Sequence, residues 1–237
     1  MTALGDSYCG PAIGPADLPA AWNLDPVLLI GLLSGLLLLW RHDPLWSSIA
    51  FALLLAAFVS PLCSLSVSLF SARSVHHVIL IALAAPCLAL GLRVSRPFLP
   101  ALPASLLHLL VLWGWHIPSA YSAALSNDLI YWVMELSLLG SAVALWHAAL
   151  RSAGRLDAAM ALLGTMMQMG LLGALLTFAG RPLYEPHLFT TLPYGLSPLS
   201  DQQLAGLIMW VPGSLPYLAA GVLCLLPVIR GGTARAA

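Results

Sequence analysis

Residues 70–91 read FSARSVHHVILIALAAPCLALG, an arginine and two adjacent histidines opening a long apolar run. About 20 apolar residues rising 1.5 Å each match a hydrocarbon core roughly 30 Å thick. The stretch therefore predicts a membrane-spanning helix with His76 and His77 at its mouth, near one membrane surface. Ionisable side chains there are costly unless they face a protein interior or a wet cavity, which makes the pair a site candidate. The competing reading is interfacial anchoring, with each histidine simply reaching water. The choice rests on what the other segments bring to the same level.

Composition sets the class. Apolar residues make up 60% of the 237 and charged ones only 8%, against the roughly 25% charged of a soluble domain. The chain reads as an all-α integral membrane protein. Its nine basic residues are all arginine, so a retinal Schiff base and lysine catalysis are excluded. A formal net charge of zero argues against a nucleic-acid partner.

Apolar runs at 24–40, 45–66, 74–92, 102–119, 129–150, 157–179 and 204–228 predict a bundle of seven transmembrane helices. Trp22 and Trp40 bracket the short first run. Three regions follow: an irregular outer tail at 1–23, the membrane domain at 24–229 and a cytoplasmic tail at 230–237. The first has no basic n-region and no apolar h-region, so it does not read as a cleaved signal peptide. With the N-terminus outside, Arg41, Arg93, Arg96, Arg151, Arg155, Arg230 and Arg235 fall on the cytoplasmic side, and only Arg73 and Arg181 fall opposite. That asymmetry follows the positive-inside pattern of a multi-pass protein of the bacterial inner membrane.

This orientation collects polar residues at the outer face. His76 and His77 open the third run, His116 closes the fourth, and Glu135 lies roughly 9 Å below the outer end of the fifth. A carboxylate at that depth needs a partner or a proton, and Arg73, His77 and His116 are the candidates. The alternative for Glu135 is a structural hydrogen bond between helices. Cys9, His187 and Asp201 are possible further members, all placed on the outer side. His108 lies roughly 12 Å below His116 on the same helix and cannot share one ion with it. Met166, Met167 and Met169 offer soft thioethers, although methionine in an apolar helix usually fills a core. Asp201 follows Ser200, which with Gln203 has the spacing of a capping box. Imidazole with sulfur donors suits copper, imidazole with carboxylate suits zinc, and the residue types leave that choice open.

Three stretches carry a resemblance: FSARSVHHVILIALAAPCLALG, WGWHIPSAYSAALSNDLIYWVMELSLLGSAVALW and LSDQQLAGLIMWVPGSLPYL. In them the chain resembles the seven-helix CtaG family of membrane proteins required for cytochrome c oxidase assembly and associated with its copper centre. The resemblance implies metal-handling roles for His77, His116, Glu135 and Asp201. This chain departs from the family pattern in having Arg73 where many members place a histidine, and His76 where many place another residue. Arg73 is then free to form an ion pair with Glu135.

The resulting expectation is a non-enzymatic assembly factor that binds copper at His76, His77, His116 and Glu135. Its partners would be a haem-copper oxidase subunit or that subunit's copper chaperones, within the lipid bilayer. Rival readings are a haem-binding membrane module, since paired histidines on neighbouring helices hold iron axially, and a metal or small-molecule transporter.

Overall fold

The computed structural model describes residues 7–92, 94–152 and 154–235, with side chains as far as Ile229. Its backbone is helical throughout, apart from a single antiparallel bridge between Ser7 and Gly10 and the connecting loops. The helices are α1 (Pro26–Trp40), α2 (Pro44–Phe58), α3 (Leu62–Ser68), α4 (Phe70–Gly91), α5 (Ala101–Trp115), α6 (Pro118–Leu125), α7 (Asp128–Arg151), α8 (Arg155–Thr177), α9 (Pro198–Trp210) and α10 (Leu215–Arg235).

Among the described residues, four stretches are long and apolar enough to cross a membrane: α4, α7, α8 and the α9–α10 unit. Two more qualify only if bent pairs count as one span, namely α2 with α3, bent by 43°, and α5 with α6, bent by 75°. This gives four to six candidate spans where the sequence predicted seven. The first predicted span shrinks to the 15 residues of α1, about 22 Å of helix. Proline explains the other differences. Pro61, at the start of α3, and Pro118, in the first turn of α6, lack the amide that would continue the preceding helix, and each chain turns there. The last helix runs on to Arg235, into the predicted cytoplasmic tail, while Ala236 and Ala237 lie outside the described residues, as does Arg93 of the orientation argument.

Inside α4 the helix widens into a π turn at Ile79–Ala84, just before Pro86. Proline has no amide to close the ordinary ladder, and local widening absorbs the break. The Ile81 carbonyl accepts from Trp146 Nε1 on α7 at 2.9 Å and from the Tyr217 hydroxyl on α10 at 3.1 Å. The π turn therefore ties three helices together just below the histidines.

Helices α8 and α9 cross at Gly173 and Gly206, where backbones meet directly. A Cβ at Gly173 would stand 2.6 Å from the Gly206 carbonyl oxygen. Small residues allow this approach, and dispersion across it is what holds helices together in lipid. Replacing Gly206 by valine is expected to push the pair apart at a cost of ~1–3 kcal/mol. A lowered thermal midpoint of the detergent-solubilised chain, compared with a Gly140→Val control in open space, checks this.

Candidate functional site

Helix α4 begins under an unusual cap. Leu69, the residue before it, has no capping side chain. Asp201 supplies the cap from the first turn of α9, accepting from the Phe70 amide at 2.7 Å, the Ser71 amide at 3.2 Å and the Ser71 hydroxyl. Asp201 is completely buried. A carboxylate is favourable at a helix N-terminus because it satisfies amides that have no partner in the helix. The hydrogen bonds of Asp201, expected as a possible member of the outer cluster, all go to backbone amides and serine. The capping box expected at Ser200 and Gln203 does not form, because α9 starts earlier and Ser197 caps it by accepting from the Ser200 amide.

Two turns into α4, Arg73, His76 and His77 all point inward onto Glu135 of α7. Arg73 Nη1 donates to Glu135 Oε1 at 3.0 Å, His77 Nε2 lies 3.4 Å from the same oxygen and His76 Nε2 lies 3.5 Å from Oε2. Arg73 and His76 are 0% exposed, Glu135 1% and His77 4%. The anchoring reading therefore fails for the pair, since neither imidazole reaches water. The cluster is far from saturated: both ring nitrogens of His76 and of His77, Arg73 Nε and Nη2, and Glu135 Oε2 have no hydrogen-bond partner.

Aromatic rings wall the cluster. Tyr131, one turn above Glu135, carries Arg73 over its face at 5.3 Å, a cation–π contact strengthened by burial. Phe58 meets the His76 ring edge-on at 4.9 Å. His116 stands beside His77 with ring centroids 6.1 Å apart, and its Nδ1 pairs with the Leu112 carbonyl at 2.7 Å. That bond holds Nδ1 as the N–H donor, leaving Nε2 as the acceptor.

The other predicted members lie elsewhere. Cys9 is joined to Cys63 in a disulfide, so in this state it has no free thiolate to offer an ion. His108 bonds Ser141 at 2.9 Å on the neighbouring helix. Met169 is buried in the core, Met167 is 66% exposed to the surroundings and Met166 lines a groove of about 530 Å³ with it. These methionines sit on α8, which does not carry the cluster. His187, in the loop between α8 and α9, bonds the Tyr121 hydroxyl at 2.7 Å and packs on Phe70. Sequence reasoning missed Tyr121 and Phe58, whose aromatic character is indistinguishable from ordinary core in an apolar chain. It also missed the Cys9–Cys63 pairing, since a separation of 54 residues carries no spacing signal.

Among the described residues, no set of three or more His, Cys, Asp and Glu side chains forms a ready-made metal cage. One carboxylate oxygen of Glu135, Oε1, is held by the Arg73 guanidinium. The cluster is a buried anion shared by one permanent cation and two imidazoles.

Two measurements follow. Removing the charge with Glu135→Gln strands a buried guanidinium and is expected to cost about 3–5 kcal/mol, whereas Arg73→Met combined with Glu135→Gln should recover most of it. Thermal midpoints of the single and double variants in detergent decide this. The second concerns His187, where burial, assisted by the charge of Arg73, pushes the imidazole down from its ordinary 6.5 to about 3. In the released loop this imidazole takes up a proton near pH 6.5, while the docked one stays neutral. Docking is therefore fully stabilised above pH 6.5 and weakens as pH falls from there towards 3. Limited proteolysis of residues 179–197 should accelerate over that window, and His187→Gln should flatten the profile.

The sequence profile described as cytochrome c oxidase caa3 assembly factor matches residues 92–231, more than half of the chain. The matched segment contains His116, Glu135, His187 and Asp201, while Arg73, His76 and His77 lie before it. No curated protein and no solved structure matches the chain. With its apolar helices and its buried cluster between α4 and α7, the chain belongs to the cytochrome c oxidase caa3 assembly factor family, Caa3_CtaG.

Proposed function

We propose that this assembly factor receives a copper ion as cargo at the Arg73–His76–His77–Glu135 cluster and passes it to an oxidase subunit being assembled. The observation that carries the reading is the convergence of two buried imidazoles, His76 and His77, on one buried carboxylate. Imidazole is a good ligand for copper in either common oxidation state, and a carboxylate compensates the charge of the ion. Arg73 gives the site a transit character. A guanidinium cannot lose its proton in a protein, so an arriving cation meets a fixed positive charge on the carboxylate it would use. Such a site holds an ion weakly and releases it easily. His116, beside His77, offers one further nitrogen on the way in or out.

Orientation agrees with this use. The arginine distribution favours an external N-terminus in a seven-span plan, with α1 as a short or tilted first span. The Cys9–Cys63 disulfide points the same way, because such bonds persist on the oxidising side of a membrane. The cluster then lies near the outer face of a bacterial inner membrane, with the oxidase subunit or its copper chaperones as partners. The role requires no bond-making in a substrate, so the factor works as a chaperone and not as an enzyme.

The test uses a deletion strain carrying His76→Gln, His77→Gln or both, grown over a copper series with abundance of the factor controlled. The expected outcome is an oxidase deficient in copper and activity at limiting copper, partly restored by added copper through mass action. Full oxidase activity in the double variant at limiting copper refutes the reading.

A further inference from the structure

The Cys9–Cys63 pair lies one aromatic layer above the cluster and has a setting of its own. Both sulfurs face hydrogen-bond donors. The Tyr131 hydroxyl lies 3.4 Å from Cys9 Sγ, and a disulfide sulfur has no proton, so the tyrosine donates. Asn23 Nδ2 donates to Cys63 Sγ at 3.8 Å. The pair is almost fully buried, yet Cys9 lies on the wall of a cavity of about 330 Å³ in the N-terminal segment, shared with Tyr8, Asn23 and Ser64. The segment is pinned around it: Ser64 donates to the Cys9 carbonyl, and the Ile13 amide and carbonyl both bond the Ser68 hydroxyl of α3. On the inner side, Tyr131 connects the disulfide to Arg73, whose guanidinium lies over its ring.

We infer that Cys9 and Cys63 form a second, redox-gated metal site, closed as the disulfide and open to Cu(I) once reduced. The electrons come from an external dithiol reaching the cavity. Its thiolate attacks one sulfur of the pair, a mixed disulfide forms, and its second thiol displaces the remaining cysteine. The dithiol leaves as a disulfide, and Cys9 and Cys63 are left as two thiols, so two electrons and two protons are transferred in total. Cu(I) then binds the two sulfurs, releasing their protons. Tyr131 and Asn23 donate to sulfur in either state, and such hydrogen bonds favour the thiolates a metal requires. Thiolates select a soft monovalent ion. Zn(II) is disfavoured because it seeks four protein donors in a closed site, and among the described contacts the pair is joined only by a phenol and an amide. The Cα atoms are 5.3 Å apart with the bond formed, so the two sulfurs stay neighbours after reduction without a large backbone movement.

This assignment rests on the copper reading of the lower cluster for the identity of the ion, but its chemistry is that of the sulfur pair alone. It is tested by Cu(I) uptake of the purified full chain, supplied as the bicinchoninate complex under anaerobic conditions. One sample is oxidised, one reduced with dithiothreitol and desalted, and one reduced and then alkylated. The reduced chain should take up one equivalent more than the oxidised or alkylated chain. The extra equivalent should disappear in Cys9→Ser and in Cys63→Ser, and survive in Cys87→Ser/Cys224→Ser and in His77→Gln. It should show copper–sulfur scattering by X-ray absorption and should not be matched by Zn(II). Equal uptake by oxidised and reduced chain overturns the inference, as does an extra equivalent that persists without Cys9 and Cys63. Loss of helical circular dichroism on reduction overturns it too, since the site would then not exist in a folded protein. The comparison of oxidised with reduced wild-type chain decides the matter even where a serine variant fails to fold. Its failure leaves the lower cluster untouched, because that cluster is judged by oxidase activity in the His76 and His77 variants.

Discussion

A buried arginine and a buried glutamate, 3.0 Å apart and screened from any solvent, set the terms for the upper half of this bundle. Either charge alone would be prohibitive inside apolar surroundings, whereas together they cancel most of that cost. The pair links α4 to α7, so those two helices must meet at one depth and in one rotation. His76 and His77 share the helix with Arg73, three and four residues on. Helical geometry brings such neighbours to the same face, and whatever orients the arginine orients them.

That rotation is fixed from both ends. Above the cluster, Asp201 caps α4 from a different helix and so couples its start to α9. Below it, the π turn at Ile79–Ala84 releases the Ile81 carbonyl to Trp146 and Tyr217. A functional cluster must be held by groups whose own positions are determined by packing, and α4 meets this condition with polar contacts at two levels. The cost is a helix that is irregular in its middle and lacks a cap of its own. Asp201 thus matters to the cluster without touching it.

The same economy explains why the cluster is not a finished cage. A permanent guanidinium on the carboxylate makes the site electrostatically cautious towards any cation. Two imidazoles turned onto the same carboxylate would make it receptive. On the proposed reading, a factor that hands an ion on needs both properties, because an ion held in a closed tetrahedral site leaves slowly. On the inference drawn from it, the disulfide one layer above would add a different chemistry, sulfur instead of nitrogen, under the control of electrons and not of charge.

Some of this was legible in the order of residues alone. Membrane residence followed from composition, and the helices followed from apolar runs, since the solvent of each segment is decided by its own side chains. The absence of lysine excluded Schiff-base chemistry. Resemblance pointed to the oxidase assembly family, to which the matched profile assigns the chain. His76, His77 and Glu135 stood out because ionisable groups are rare in apolar runs. Their meeting was a matter of tertiary structure, as were the turning of His187 to Tyr121, the retreat of Asp201 into a capping role and the joining of Cys9 to Cys63. Each depends on the rotation of one helix about its axis relative to another, or on where a tail folds back. Those angles come from contacts between segments far apart in the chain, such as Arg73 and Glu135 at a sequence separation of 62. The number of spans shows the same division. Hydropathy counts apolar residues, but Pro61 and Pro118 decide in three dimensions whether two short helices make one crossing.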